Sequence, residues 1–307
     1  MRMAVMIDGR FMADDPAPQT DADGAYRRAA ATIRDWIGMD GPYRPEPGRY
    51  HIYAAWNCPW AHRVLLARVM LGLEDAISVA FARPRRTADG WVYDTEGEFA
   101  DPVLGVSALH QVYARHRPRY TGRLTVPVLW DRETGRIVNN ESADIVRMLS
   151  AFGSGPGLRP PHLAGEIDDW NMRIYGTVNN GVYRAGFART QAAYDSAVTD
   201  LFETLDRIEV QLTASEFLTG ARFTEADLRL FPTLARFDVA YHYAFKCNIR
   251  RLVDCPALWA YARRIYAMPR IAGTVNFDYY KQGYFSPSEL RNPLGIIPAG
   301  PLVDWTV

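Results

Sequence analysis

Long apolar runs are missing from this chain, and their absence excludes a membrane-spanning helix. A helix that crosses a bilayer needs about 20 consecutive apolar residues, and no stretch of the 307 residues provides them. The first six residues are mostly apolar, but Asp8 follows at once. The start therefore lacks the apolar region and cleavage site of a secretory signal, and we expect no membrane partner.

Cysteine is also scarce, which excludes a disulfide-stapled secreted domain. The three cysteines are Cys58, Cys247 and Cys255, and they are too few and too unevenly spaced for a disulfide framework. We therefore expect the protein to reside in a reducing cytoplasm.

An excess of charge of one sign is absent as well. Lys plus Arg and Asp plus Glu both total 35, so the net charge is zero, and nothing indicates nucleic acid as a partner. Aromatic residues, by contrast, make up 12%, with 17 Tyr and 8 Trp. They fit a protein that binds flat aromatic ligands, and they fit large helical cores equally well.

The length favours two domains, since a single core stops growing well below 307 residues. Residues 1–47 predict an irregular N-terminal extension rich in Asp, Pro and Ala, with one short helix from Ala25 to Ile37. Residues 48–152 predict a first domain, and residues 162–285 a second one. The Pro- and Gly-containing tail, residues 286–307, predicts an extended surface segment.

The first domain has the element order of a thioredoxin-like fold. Cys58-Pro59 opens its first helix, with the proline at the position where a missing N–H costs nothing. The last helix begins at Glu141-Ser142, and the excursion Ala82–Arg123 is long enough to indicate a functional loop. The predicted strands are Tyr50–Ala55, Ile77–Phe81, Thr125–Trp130 and Arg136–Val138. This order is β-α-β followed by β-β-α.

The second domain is predicted to be all-helical. A Gly- and Pro-rich linker, Phe152–Pro161, separates it from the first domain. Within it, Thr224 and Asp227 have the spacing of a capping box, in which the two residues satisfy each other's backbone N–H groups.

Cys58 is the candidate nucleophile. A thiol reacts as its thiolate, and a helix start presents free N–H groups and partial positive charge that favour an anion. Cys58 lies where a strand ends and a helix begins, so its sulfur is expected to be partly ionised at neutral pH. The alternative, a buried small hydrophobe, is favoured for Cys247 and Cys255.

The residue three positions after Cys58 is Ala61, which makes the motif Cys-x-x-Ala. A disulfide with a neighbouring cysteine is therefore excluded, and any mixed disulfide at Cys58 needs an external thiol to resolve it. This pattern indicates monothiol chemistry with a small thiol cofactor.

Two further pieces of the first domain suit a peptide-like ligand. A cis bond at Val126-Pro127 would turn the Val126 backbone outward to pair with the ligand; the alternative is an edge-strand proline with a trans bond. Glu141 and Ser142, at a helix start, can hold the ends of an amino-acid-like group; the alternative is a simple helix cap.

These residues carry a resemblance to the glutathionyl-hydroquinone reductases, the Xi class of the glutathione transferases. The resemblance extends from about Tyr50 to Pro301. Its segments are Cys58–Arg63, Gly90-Trp91, Tyr120–Asp131, Asn139–Ile145, Thr177–Ala188, Phe245–Asn248 and Asn292–Pro298.

The resemblance implies a homodimer, glutathione as cofactor, and a set of roles. Cys58 would attack the glutathione sulfur of an S-glutathionyl-hydroquinone. Around it, Trp91 would pack on the tripeptide, Arg123 would help hold a carboxylate, Val126 would pair with the cysteinyl backbone, and Glu141 with Ser142 would grip the γ-glutamyl end. Tyr183 and Tyr284 would line the hydroquinone site. Our own hypothesis is that these two tyrosines bind the ring hydroxyls and that at least one of them assists protonation of the leaving carbon, with Tyr241 and His242 as less favoured candidates.

The chain departs from the family pattern at Ala244 and Gly283, where the family often has His. Both positions belong to the acceptor half of the expected site. Two other functions stay open: a different Cys-type glutathione or thiol transferase, and an aromatic-ligand-binding protein without turnover. A conjugating transferase, which activates glutathione with Ser or Tyr, is disfavoured by Cys58.

Overall fold

The computed structural model describes residues 4–17, 19–153, 157–289 and 291–306. These residues form two compact units. The first comprises the described parts of Met1–Ala17, Ala30–Pro156 and Asp278–Gly295; the second comprises those of Pro18–Ala29, Gly157–Phe277 and Ile296–Val307.

The first unit is built on a mixed four-stranded sheet. Its elements in chain order are β1 (Val5–Ile7), β2 (Arg10–Met12), β3 (Tyr50–Ala55), α1 (Pro59–Met70), β4 (Ser78–Ala82), α2 (Leu109–His116), β5 (Gly122–Arg123), β6 (Val128–Asp131), β7 (Arg136–Asn139) and α3 (Ser142–Leu149). The main sheet has the order β4-β3-β6-β7. β3 is parallel to β4 and antiparallel to β6, which is antiparallel to β7. The thioredoxin-like prediction is confirmed.

β3 forms the centre of this unit, and all six of its residues are buried. A strand covered on both faces is expected to read as an apolar run without alternation, which is why the period-two pattern is imperfect in its sequence. The parallel β3–β4 pair requires a crossover, and α1 provides it. This crossover places the start of α1 at the carboxyl end of β3.

The second unit is helical, as predicted. Its helices are α4 (Ala164–Ile174), α5 (Gly181–Phe187), α6 (Gln191–Ala214), α7 (Glu225–Arg236), α8 (His242–Ala244), α9 (Pro256–Tyr266) and the start of α10 (Phe277–Tyr284), which continues into the first unit. The predicted capping box is present at the start of α7: Asp227 Oδ2 accepts the Thr224 N–H at 2.8 Å.

The predicted helix from Ala25 to Ile37 is wrong. The segment is irregular, and its residues 30 and beyond pair with distant backbone instead. Asp35 N donates to Val138 O at 2.9 Å, and Asn140 N donates to Ile33 O at 3.0 Å. The preceding segment is not uniformly irregular either, because β1 pairs with β2 and with β5.

Candidate active site

Cys58 lies at the junction of β3 and α1 and is the N-cap residue of α1. Its N–H donates to Ala55 O at 3.0 Å, and its Sγ accepts the Ala61 N–H at 3.5 Å. Pro59 occupies the first helical position, where no N–H is needed. The residue is 9% exposed. The sulfur therefore faces the free N–H groups of the helix start, where a negative charge is stabilised.

The Val126 carbonyl is the second group at this sulfur. Val126 O lies 3.4 Å from Cys58 Sγ, and the Val126-Pro127 peptide bond is cis. Of the two geometries left open by the sequence, the structure has the cis one. Val126 thus places its backbone beside the candidate nucleophile.

Cys255 offers an internal comparison, since Cys255-Pro256 also opens a helix, α9. Its side chain makes no cap hydrogen bond, and its Sγ contacts Arg251 O at 3.7 Å. Burial raises the pKa of the Cys255 thiol, and burial also raises the pKa of Cys247, which is fully buried. A Cys-Pro dipeptide at a helix start is therefore not sufficient for an activated thiol.

Glu141 and Ser142 lie at the start of α3. Glu141 is the N-cap residue, and its Oε1 accepts the Ala143 N–H at 3.0 Å. The Ser142 hydroxyl donates to the same oxygen at 3.4 Å. The helix cap is thus formed, and the predicted grip on an amino-acid-like group stays a prediction.

Trp91 is 5% exposed, and its Nε1–H has no hydrogen-bond partner within the described part of the chain. Its carbonyl accepts the Leu109 N–H at 2.9 Å, which ties it to the start of α2. The guanidinium carbon of Arg86 lies 3.9 Å from the centre of the indole ring. A buried indole N–H usually has an acceptor, so Trp91 is suited to meet one from a ligand.

Arg123 forms an ion pair with Asp15, at 3.0 Å between Nε and Oδ2. Asp15 comes from the irregular segment before residue 18 and was not singled out from the sequence. Both side chains are largely buried. The cation expected to hold a carboxylate therefore already holds one from its own chain, and its role toward a ligand stays a prediction.

Comparison with known proteins identifies the relatives of this arrangement. Family models for the N-terminal and C-terminal domains of glutathione S-transferase match residues 57–151 and 191–264. The glutathionyl-hydroquinone reductase PcpF of Sphingobium chlorophenolicum is 45% identical over 305 residues, covering 97% of this chain and 96% of that protein.

Two solved structures agree with this relationship. The Xi glutathione transferase of Phanerochaete chrysosporium superposes with a TM-score of 0.90 at 41% identity, covering 96% of this chain and 98% of that one. The glutathione-bound structure of YqjG from Escherichia coli K-12 gives 0.87 at 42% identity, covering 98% and 96%. The chain belongs to the glutathionyl-hydroquinone reductase family, the Xi class of the glutathione transferases.

Gly283 lies too close to a neighbouring side chain to carry a Cβ without a shift of that neighbour. A Cβ at this position would overlap the Asn57 side chain, whose Nδ2 donates to Pro84 O at 3.2 Å. Asn57 immediately precedes Cys58, and it fills the space that a larger residue at 283 would need. The next residue, Tyr284, is partly exposed and lines a cavity in the first unit.

Tyr183 belongs to the second unit, in α5. Its ring lies 5.3 Å from that of Phe245 and 6.1 Å from that of Tyr241, and the Arg28 guanidinium carbon is 4.9 Å from its centre. Tyr241 is fully buried, in agreement with a packing role. The catalytic role assigned to Tyr183 stays a prediction.

Sequence reasoning missed three residues around these Xi-class positions: Asp15, Asn57 and Arg86. Asp15 lies in a loop-like segment, and Arg86 is one of several arginines in a long excursion, so neither has a periodic pattern that marks it. Asn57 is adjacent to the nucleophile, which is the one signal that could have found it.

Neither a metal centre nor a membrane span emerges from the described residues. No group of three or more His, Cys, Asp or Glu side chains among them could hold a metal ion. None of their helices is both long and apolar enough to cross a membrane.

Proposed function

We propose that this chain reduces S-glutathionyl-hydroquinones to hydroquinones, with glutathione as reductant and Cys58 as nucleophile. The observation that carries the proposal is the environment of the Cys58 sulfur. It caps α1 through the Ala61 N–H, at the position where a dithiol enzyme would have its second cysteine. A mixed disulfide formed at a thiol placed in this way is resolved by an external thiol, because the motif has no second cysteine.

The proposed chemistry has two steps, cleavage of a carbon–sulfur bond and a thiol–disulfide exchange. In the first, Cys58 Sγ attacks the sulfur of the glutathionyl group, the bond between sulfur and the ring carbon breaks, and the ring carbon takes the electron pair and a proton. In the second, the thiolate of a free glutathione attacks the glutathione sulfur of the mixed disulfide. The bond between this sulfur and Cys58 Sγ breaks, and Cys58 is released as a thiolate. Overall, the thioether sulfur of the substrate and the thiol of one free glutathione become a disulfide, the ring carbon is reduced by two electrons, and Cys58 is regenerated.

The surrounding residues suit the binding of a γ-glutamyl tripeptide as substrate. The Val126 backbone beside Sγ supports pairing with its cysteinyl residue. The unpartnered indole N–H of Trp91 supports a contact with the tripeptide. Glu141 and Ser142 at the helix start remain the predicted partners of its γ-glutamyl end, and Arg123 of a carboxylate. Tyr183 and Tyr284 remain the predicted partners of the hydroquinone.

Cys58→Ser is the direct test, with Cys255→Ser as its matched control because Cys255-Pro256 also begins a helix. We expect Cys58→Ser to bind glutathione yet lose at least about 100-fold in kcat, since a hydroxyl is a poor nucleophile toward sulfur. Cys255→Ser should retain turnover. After treatment with oxidised glutathione, mass spectrometry should find one added glutathione, on Cys58. Turnover by Cys58→Ser at the wild-type rate would refute the proposal.

The proposal includes a homodimer in the cytoplasm as the working form. Light scattering on the purified chain measures its mass in solution, and a monomer at micromolar concentration would contradict the dimer.

A further inference from the structure

A cavity of ≈ 170 Å³ lies in the first unit beside Tyr284. Cavities of about 150 Å³ accommodate a benzene ring, so the volume suits an aromatic ring or part of one. Ala4 and Ala13 contribute apolar wall. The polar lining side chains are Arg86, Thr87, Tyr284, Ser286, Ser288 and Arg291.

The charge of this cavity has one sign. Arg86 and Arg291 line it, and none of its described lining residues is acidic. Both arginines are partly buried, so their field is screened less than that of a surface cation. A guanidinium donates two parallel hydrogen bonds to a carboxylate, which makes it the preferred partner of that group. The lining therefore favours a carboxylate.

The position of the cavity relates this carboxylate to the aromatic part of the substrate. Tyr284, the predicted partner of the ring, lines the cavity, and Arg86 stacks over Trp91. From these placements we infer that Arg86 and Arg291 bind a carboxylate on the ring, so that the preferred substrates are S-glutathionyl derivatives of carboxylated hydroquinones. This inference rests on the proposed function.

Direct binding tests the subsite without requiring turnover. The probe is 2,5-dihydroxybenzoate, and its uncharged counterpart is 2,5-dihydroxybenzamide; calorimetry measures both affinities for the full chain at pH 7. Because a hydrogen bond to a charged group contributes about 1.5–3 kcal/mol, the wild type should bind the acid roughly 10-fold or more tightly than the amide. Equal affinities, or no binding of either probe, would overturn the inference.

Three variants test which arginines cause the preference for the acid over the amide. Arg291→Gln and Arg86→Gln should each reduce the preference for the acid toward 1. Two variants are needed because Arg86 also packs on Trp91. Arg85→Gln is the matched control, since Arg85 is adjacent and exposed but does not line the cavity, and it should keep the preference. A preference that survives in both Arg86→Gln and Arg291→Gln would refute the assignment.

Glutathione also has carboxylates that this cavity could bind. A second experiment, the binding of glutathione alone, distinguishes them from a carboxylate on the ring. If Arg291→Gln weakens the binding of glutathione alone and leaves the ratio between acid and amide unchanged, the cavity serves the tripeptide and the inference is wrong. In turnover, the ratio of kcat/KM between carboxylated and unsubstituted glutathionyl-hydroquinone should fall in Arg291→Gln. If the wild type turns over neither substrate but binds 2,5-dihydroxybenzoate more tightly than the amide, the proposed function is refuted and the carboxylate subsite is supported.

Discussion

Cys58 and Cys255 occupy the same position in their helices, yet only one of them is placed for chemistry. Each is an N-cap residue followed by proline. Both sulfurs lie near a backbone carbonyl, Val126 O for Cys58 and Arg251 O for Cys255. Cys58 Sγ also turns toward the helix start and accepts the Ala61 N–H, whereas the Cys255 side chain makes no cap hydrogen bond. The direction of the side chain distinguishes them, and a dipeptide motif does not contain that information.

Selective alkylation follows from this difference. With limiting iodoacetamide at neutral pH, we expect Cys58 to be labelled several-fold faster than Cys247 or Cys255. Burial raises the pKa of both other thiols and so lowers their thiolate fraction. Peptide mapping by mass spectrometry gives the order of labelling. Earlier modification of Cys247 or Cys255 would mean that the nucleophile is assigned to the wrong residue.

The tyrosines are tested by comparing two leaving groups. An aromatic carbon that departs with an electron pair must receive a proton, and a phenol, with a pKa near 10, can donate one at pH 7. Tyr183→Phe and Tyr284→Phe should lower turnover of glutathionyl-hydroquinone about 10-fold or more. A small glutathione mixed disulfide, which releases a stable thiolate, should be affected little. Equal losses on both substrates would show that the tyrosines act on glutathione or on structure.

At this scale the sequence could identify residues but not their partners. Cys58 and Val126 were marked by local motifs and Trp91 by the family resemblance, and the roles of all three toward a ligand stay predictions. The Asp15 partner of Arg123 was not predictable, because the two residues are 108 positions apart and no local pattern relates them. The same holds for Asn57 and Gly283, which meet through tertiary packing.

At the scale of elements, local signals predicted helix starts well and irregular segments poorly. Pro59, Glu141 and Thr224 mark the starts of α1, α3 and α7. Ile33 and Ile37 have helical spacing and are both buried, but backbone bonds to β7 and the residue after it hold their segment in irregular form. Long-range pairing overrides a local period of four in this case.

The opposite error occurs at α2, which lies inside the excursion treated as a loop. Leu109, Val112, Tyr113 and His116 are its buried residues, and their spacing is that of an amphipathic helix. The helix is only eight residues long, and Ala108 before it has no polar side chain to announce a start. Tertiary packing stabilises so short a helix, and its sequence signal is correspondingly weak.

The capping box of α7 provides a stability prediction at the element scale. Asp227 is fully buried and accepts from Thr224 N, Leu218 N and the Tyr261 hydroxyl at 2.8–2.9 Å. The Thr224 hydroxyl also donates to Asp227, at 3.1 Å. Asp227→Ala removes the acceptor of all four buried donors, so we expect a loss of about 3 kcal/mol or more in the free energy of unfolding. Denaturant titration measures it.

Tyr261→Phe is the graded control, because it removes one of these four bonds and leaves the backbone donors satisfied. We expect it to cost about 1 kcal/mol. If Asp227→Ala were no more destabilising than Tyr261→Phe, the box would not stabilise the start of α7 as argued.

On the scale of the whole molecule, the N-terminal and C-terminal segments are each divided between the two units. The first unit includes β1, β2 and most of α10, and the second includes residues 19–29 and 296–306. Pairing between Val5 and Arg123 is one cause, and packing of the Tyr26 ring on Phe187 is another. Such assignments depend on contacts between distant segments, so composition and local periodicity cannot supply them. The predicted boundaries at 47, 162 and 286 stay predictions of domain limits.

The stability of the molecule should fall as the pH drops below neutrality, and His51 is a specific cause. His51 is fully buried in β3, and its Nδ1 lies 2.6 Å from Ser78 Oγ. Burial lowers its pKa from 6.5 to about 4. Between these two values the unfolded chain binds a proton that the folded chain does not, so acid favours unfolding. The stability that depends on a neutral His51 is fully present above pH 6.5 and declines as the pH falls to about 4. It amounts to about 3 kcal/mol.

His51→Gln should therefore show a shallower decline in denaturation midpoint between pH 7 and pH 4.5 than the wild type, whatever its stability at pH 7. His162→Gln, which changes an exposed histidine, should keep the wild-type slope. Parallel pH profiles for wild type and His51→Gln would show that protonation of His51 does not limit stability in acid.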